Sequence, residues 1–572
     1  MADAANLLAL LALHLVLTAL PLAAAMLAAA CCGVGRPSLL LCIGLVASGL
    51  VALTSFWAFW ASHTVGMTYA YLVPFGSLLL IVACLRSGRL ERALLRELAT
   101  PLALWALGSV FLAYLGFLHG GSDDPLNMAA LRFSGGQLPP DNLIPGFFAD
   151  WFYLHSHHGT PALFPGDWLF SDRPPLQVGY LLAEHGFGWS GNGMREQVIG
   201  VIVQQLWIVG LWALLLAARI RRRARALIVV ALMFSDLVVV HGFYVWPKLL
   251  PAAFLLAAAA LFLGPGWAEL RRDRRAGLLL GALVALALLG HGASVFGLVP
   301  LAVFALAAGL PDRRWLGAAL VVALGLLLPW TAYQHFADPP GNRLAKWMLA
   351  GVEPIDERGT LETIADSYRE AGLGGALENK WHNVGTITGD APAWERFENA
   401  VDDLGGGDWE GAAVELRWLF FFSLVPSLGL LGLGPVAMAL ARLRGRRGDG
   451  PEWRLAVLCW WAVLGGCLAW ALLMFGTSQA STSIHVGTLA IPLLALAACV
   501  LGLCAVLPRL APWWVGLSAL LTLVIYTPSL NPPEGSAYSP WAAAAALLAL
   551  AGFVAVAFLG PGGSAEVDVD AP

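Results

Sequence analysis

The chain of 572 residues is 59% hydrophobic and 12% charged, with 24 tryptophans, 63 glycines and a formal net charge of −4; its mean hydropathy is +0.74. Soluble domains carry about 25% charged residues, so this composition excludes an ordinary soluble enzyme and makes lipid the solvent. The basic residues gather in short clusters between apolar runs and form no single face, which excludes nucleic acid as a partner.

The N-terminal stretch has no basic n-region and a long apolar run, so it reads as an uncleaved span and not a signal peptide. Spans are expected at 5–31, 38–61, 65–85, 100–118, 197–219, 226–245, 248–265, 276–291, 294–310, 315–335, 416–441, 453–475, 486–506, 511–527 and 540–560. That makes an all-α polytopic membrane protein of roughly fifteen transmembrane helices, each near the length needed to cross ~30 Å of hydrocarbon. The expected organisation is three N-terminal helices (1–98), a core (99–336) containing a long loop at 119–196, a second long loop (337–415), C-terminal helices (416–560) and a disordered acidic tail (561–572).

Arginines collect at 86–96, 219–225, 271–275, 313–314 and 442–447, and more weakly at Arg509. Successive clusters are separated by an even number of expected spans. The positive-inside rule then puts the N-terminus and both long loops outside and the C-terminus in the cytoplasm. Of 12 histidines, all but His14 fall in or beside an outward connection, so polar chemistry is expected on that face. The eight cysteines all lie in or at the ends of apolar segments, which excludes a disulfide framework in the loops. No CxxC or His/Cys ligand spacing supports structural zinc. Charged residues within spans are nearly absent apart from Asp236, and no internal repeat is visible, both unfavourable to an ion-driven transporter.

The first long loop opens with HGGSDDPLNMAALRF. Asp123 and Asp124 stand a few residues beyond a span end, at the depth of a lipid headgroup. An ionised carboxylate there suits a general base toward a hydroxyl, or a ligand for a divalent cation. The competing reading is an N-cap followed by Pro125 at the first helical position; two adjacent acids favour function, because a cap needs one. Further on, ADWFYLHSHHGTPALFPGDWLFSDRPPLQVGY mixes interfacial aromatics with His155, His157, His158, Asp172 and Arg173. Arg173, ahead of Pro174 and Pro175, is aimed at a phosphate or carboxylate, with an ion pair to Asp172 or Glu184 as the structural alternative at even weight. Metal binding by HSHH is the minority reading.

The next outward connection, VVVHGFYVWPKLLPA, crowds His241, Tyr244, Trp246 and Lys248 at one boundary. Lys248 is a cation on the outer side, against the charge trend, so an anionic partner such as phosphate is expected in place of simple snorkelling. His291 and His485 occupy similar boundaries; each singly reads as a cap, and both count as cavity candidates. The second long loop opens with Arg343, Lys346 and Trp347 close to a span end and continues as short amphipathic helices able to lid a cavity.

An acidic motif directly after a span, tight outer turns, then a second long outer loop after the seventh span of the core resembles the GT-C superfamily of membrane glycosyltransferases over roughly residues 100–415. The resemblance implies an inverting transfer from a polyprenyl-phosphate sugar to a glycan, lipid or protein acceptor of the cell envelope, on the extracytoplasmic face of a bacterial plasma membrane. It implies Asp123 or Asp124 as the catalytic carboxylate, beside Asn127 and Arg132. Lys248, Arg173 and Arg343 are the candidates for the carrier phosphate by position, with His241, Tyr244, Trp246, His291, Asp172, His158 and His485 around the substrate cavity. No cofactor is required, and a divalent cation is compatible with the acidic pair. Membrane lipids surround the chain. No WWD-type motif is present, which disfavours asparagine glycosylation. The alternatives are a polyprenyl-linked polysaccharide polymerase or ligase, a lipid or solute transporter, and a non-catalytic scaffold.

Overall fold

The structure is a computed structural model, described over residues 2–134, 136–158, 168–188, 192–264, 266–389, 391–446, 448–476, 489–527 and 538–560. Among these residues it is all helical. Four long helices, α1 (Ala2–Cys31), α2 (Pro37–Ala61), α3 (His63–Arg86) and α4 (Arg92–Gly116), lead into α5 (Pro125–Arg132), α6 (Ile144–His155) and α7 (Leu176–Glu184). A central group follows: α8 (Met194–Gln204), α9 (Trp207–Ala217), α10 (Arg222–Met233), α11 (Asp236–Tyr244) and α12 (Leu249–Ala260). Next come α13 (Trp267–Leu270), α14 (Arg274–Gly290), α15 (Ser294–Ala308), α16 (Arg313–Ala332), and, in the second long connection, α17 (Arg343–Ala350), α18 (Thr360–Thr388) and α19 (Ala391–Gly406). The chain finishes with α20 (Trp409–Phe422), α21 (Leu424–Ser427), α22 (Leu433–Leu443), α23 (Pro451–Leu473), α24 (Ala490–Val506), α25 (Ala511–Tyr526) and α26 (Pro540–Leu559).

Among the described residues, eight helices or helix pairs are long and apolar enough to cross a membrane, or nine if α10 and α11 count as one bent span. The expectation was roughly fifteen, and the difference has a local cause. Several apolar runs are helices of 10–17 residues, among them α12, α15, α24 and α25. Runs of that length suit buried core helices as well as spans. Between α10 and α11 the axis bends by 61°; Ser235 caps α11 by accepting the Val238 N–H at 3.4 Å, inside an otherwise apolar run.

The core is built around α8, α9, α12 and α24. The most apolar window of the stretch Met194–Ala217 is wholly buried, as is every residue of α12. By contrast α3 and α16 are only 11% and 17% buried over their most apolar windows and turn Leu72, Phe75, Leu320 and Val321 outward, the side-chain class that hydrocarbon accepts. Small residues let the core helices touch. A Cβ on Gly210 of α9 would collide with the Ala253 carbonyl of α12, and one on Gly179 of α7 with the Ala52 carbonyl of α2, the close backbone approach typical of membrane helix pairs.

The stretch 176–184 falls in the first long loop of the sequence reading, yet α7 is buried along its length. Its apolar residues need cover, and its polar ones find partners inside. Glu184 accepts from Thr18 at 2.7 Å and pairs with His14 at 2.7 Å, and Tyr180 meets Ser48 at 3.0 Å. His14, in the middle of α1, is thereby tied to that loop.

Candidate functional site

The site begins at the end of α4. Arg132 of α5 is buried and donates to the carbonyls of Gly116 and Gly120 at 2.7 and 2.8 Å, satisfying acceptors left open where α4 stops. Burial, reinforced by Arg417, lowers its pKa to about 10. This anchor fixes the start of α5, where Asp123 and Asp124 are both exposed. Asp124 occupies the N-cap position without making a side-chain cap bond; it instead accepts from Asn127 Nδ2 at 2.7 Å. Asn142 Nδ2 donates to Leu126 O at 2.7 Å. That bond holds the turn Pro140–Leu143, and with it Asp141, against α5.

Asp141 leads to the cations. Its Oδ2 lies 3.1 Å from Arg173 Nη2, with the two side chains only 13% and 8% exposed. The Arg173 guanidinium stacks 4.1 Å from the Trp168 ring centre, and Arg343 stacks on the same indole at 4.3 Å. Lys248 Nζ lies 4.0 Å over Trp246, which is itself 6.0 Å from Arg173. Three basic side chains contributed by three separate connections therefore share two indole faces, where the guanidiniums gain the ring quadrupole's attraction.

The turn presenting Lys248 is built under strain. Val245 has φ +54, an uncommon left-handed conformation for a β-branched residue. Gln177 Nε2 holds its carbonyl at 2.7 Å. Gln204 then accepts the first backbone N–H groups of α12, from Leu249 and Leu250, at 2.9 and 3.0 Å. Lys248 Nζ ends 3.0 Å from His291 Nε2, while His291 Nδ1 accepts the Ala293 N–H at 3.1 Å.

The second loop closes the other side. Arg343 donates to Glu353 O at 2.6 Å and pairs with Asp172 Oδ2 at 3.5 Å. Asp172 Oδ2 also accepts the Leu169 N–H at 3.0 Å, and Asp338 accepts the Ser171 N–H at 2.7 Å. Burial outweighs these favourable partners and raises the Asp172 pKa to about 6. Beneath, Phe170 lies 5.6 Å from each of Phe56, Trp330 and Tyr333, an apolar floor for the polar group.

Arg173, Arg343, Lys248, Trp246, Asp172 and His291 are thus brought together, and Tyr244 adjoins them, 6.1 Å from Trp246 with its hydroxyl donating to Pro139 O. Neither structural pairing weighed for Arg173 is the one found: Asp172 turns to Arg343 and Glu184 to His14, leaving Asp141 as the partner. His241 is fully buried, stacked on Phe421 at 5.3 Å. His158 is exposed beside His157, whose Nδ1 faces Trp60 O at 3.1 Å. His485 lies outside the described residues. Lys346 reaches the carbonyls of Asp356 and Arg358, inside its own loop.

Sequence reasoning missed Asp141, Trp168 and Gln177. The cavity between Asp141, Arg173, Gln177, Trp246 and His291 measures about 10 Å³, room for about one water, so a larger ligand must part these side chains. One acid–imidazole group elsewhere, Asp150, His185 and Glu196, has ligand atoms within 4.8 Å of each other. Arg195 already stands among them, 3.0 Å from His185 and 3.6 Å from Asp150 and paired with Glu196. That group holds a guanidinium.

No protein-family model, no curated protein and no solved structure matches this chain.

Proposed function

We propose that this protein is an inverting membrane glycosyltransferase of the GT-C kind, which moves a sugar from a polyprenyl-phosphate carrier to a cell-envelope glycan, lipid or protein acceptor. The observation that carries this reading is the convergence of Arg173, Arg343 and Lys248 on Trp168 and Trp246, beside Asp141. Guanidinium and ammonium groups held near apolar faces bind phosphate oxygens strongly, because little water competes. The indoles add flat apolar surface for a sugar's C–H face.

In the transfer, a carboxylate takes the proton of the acceptor hydroxyl, and that oxygen forms a bond to the anomeric carbon from the face opposite the phosphate. The anomeric C–O bond breaks and its electron pair stays with the carrier phosphate, whose added charge the three cations stabilise. Asp123 and Asp124, at the exposed start of α5, are the candidate bases. Asp141, bonded to Arg173, is a third carboxylate on the same support. A divalent cation bound by the acidic pair is an optional addition.

On this reading the chain lies in a bacterial plasma membrane, with the site extracytoplasmic, the N-terminus outside and the C-terminus inside. The count of about fifteen apolar segments then includes shorter helices, of which one as short as α12 reaches only part of the way across. The arginine-rich connections at 219–225 and 271–275 favour it, since they adjoin the ends of α9 and α14 remote from Lys248 and His291.

Transfer by purified protein in nanodiscs, with a panel of polyprenyl-phosphate sugars and envelope-lipid acceptors, tests the reading. One of Asp123→Asn, Asp124→Asn or Asp141→Asn abolishes transfer while the protein stays folded. Reaction only with a diphosphate-linked oligosaccharide would mean a polymerase or ligase. Absence of donor consumption by wild type would favour a transporter or scaffold.

A further inference from the structure

A cavity of about 250 Å³ lies at the opposite end of α12 from Lys248. Leu39 and Cys42 of α2, Ala217 of α9 and Ala260 with Leu261 and Leu263 beyond α12 give it an apolar wall. Its charged lining is Arg36, Arg219 and Glu269, two positive charges against one negative. Arg36 Nη2 pairs with Glu269 at 2.8 Å, with side chains 38% and 78% exposed, so the pair is a weak surface bridge. The Arg36 guanidinium lies against Gly266, where a Cβ would collide with it.

Arg219 carries the decisive feature. It ends α9 in a left-handed conformation, φ +56, with its own N–H bonded to Leu216 O at 2.9 Å and the Ile220 N–H to Leu215 O at 3.0 Å. This is the helix-ending pattern whose left-handed position favours glycine. The same chain ends α1 and α22 with the same pair of bonds, and there it places Gly33 (φ 92) and Gly445 (φ 74). At α9 alone of these three ends a long cationic side chain takes the strained position, and it lines the cavity.

We infer that this cavity binds the phosphate headgroup of an anionic membrane lipid, with Arg219 and Arg36 meeting the phosphate and the apolar wall meeting the first carbons of the lipid chains. Charge and shape both point to an amphiphile: cations at the open rim, aliphatic side chains behind. This site is independent of the proposed transferase site.

Full-length protein in detergent, titrated with phosphatidylglycerol, phosphatidylcholine or inorganic phosphate and followed by thermal unfolding, tests the inference. Phosphatidylglycerol raises Tm saturably, and phosphatidylcholine and inorganic phosphate do not. Arg219→Gly shifts the phosphatidylglycerol midpoint at least about fivefold higher, while its lipid-free Tm equals or exceeds that of wild type because the strain is gone. Arg219→Asn, which also tolerates the left-handed region, behaves alike and guards against a folding defect in the glycine variant. Lys248→Met leaves the midpoint unchanged. An unaltered midpoint in both Arg219 variants, or an equal response to phosphatidylcholine, overturns the inference. Saturation by inorganic phosphate alone overturns the lipid assignment in favour of a free anion.

Discussion

Lys248 Nζ lies 3.0 Å from His291 Nε2, across a separation of 43 residues. Because His291 Nδ1 accepts the Ala293 N–H, the neutral ring carries its proton on Nε2. The imidazole then donates Nε2–H to the Lys248 amine, which burial and the nearby Arg173 hold toward its neutral form; a phosphate entering beside them recharges the lysine, and its oxygens accept from both groups. Lys248→Met keeps the side-chain length and removes the donor. It lowers transfer at least about 100-fold, with Tm unchanged or higher because a buried polar amine is replaced by an apolar group. Steady-state rates and thermal unfolding of the same preparation check this.

Asp172 sets a pH dependence. Its folded pKa is raised by burial to about 6 from 3.8, so the folded state favours the protonated acid. Its stabilising contribution is fully present below pH about 4 and is lost as pH rises through about 6, a loss on the order of 3 kcal/mol. Asp172→Asn cannot ionise. Relative to wild type, its Tm therefore improves steadily from pH 4 to pH 7, with most of the gain between pH 4 and 6. A wild-type-minus-variant difference that is flat over this range contradicts the assignment.

The connection from α4 into the site depends on Arg132. Replacing it by Met leaves the Gly116 and Gly120 carbonyls without their donor inside the protein. The cost is about 2–4 kcal/mol, read as a lower Tm. Transfer falls with it, because the start of α5 with Asp123 and Asp124 loses its support.

At Gly210 the α9–α12 contact is backbone against backbone. Gly210→Ala pushes the helices apart for a cost of about 1–3 kcal/mol. Since α12 begins just after Lys248, donor affinity drops as well. Gly317→Ala, on the exposed side of α16 with open space around it, leaves Tm unchanged or slightly raised, which makes it the matched control.

The three basic residues were legible in the sequence because each breaks a local trend: Lys248 a charge in a short turn between apolar runs, Arg173 before two prolines, Arg343 just past an apolar run. Trp246 and His291 followed from their position at the same boundary. Asp141 was not legible, since PPDN reads as a turn and its pairing with Arg173 is a tertiary event 32 residues away. Trp168 looked like one more interfacial aromatic, and nothing in its neighbourhood signals that two arginines will share its ring. Hydropathy marks which segments are apolar, yet it cannot separate a 12-residue buried helix such as α12 from the end of a full crossing. The same blindness hid α7, whose LQVGYLLAE is too short to read as a span and too apolar to stay on the surface. Ser235 as a cap and Asp236 in the first turn, in the middle of an apolar run, were the available sign that α10 and α11 are separate helices.

Equilibrium binding of a polyprenyl-phosphate sugar to the protein in nanodiscs tests the central claim most directly, using wild type, Arg173→Gln, Arg343→Gln and Lys248→Met. The account predicts saturable binding by wild type, competition by polyprenyl phosphate but not by the free sugar, and at least about tenfold weaker binding in each variant. Saturable binding that all three variants retain at wild-type affinity would contradict it, because the phosphate would then be held somewhere other than the Trp168–Trp246 cluster.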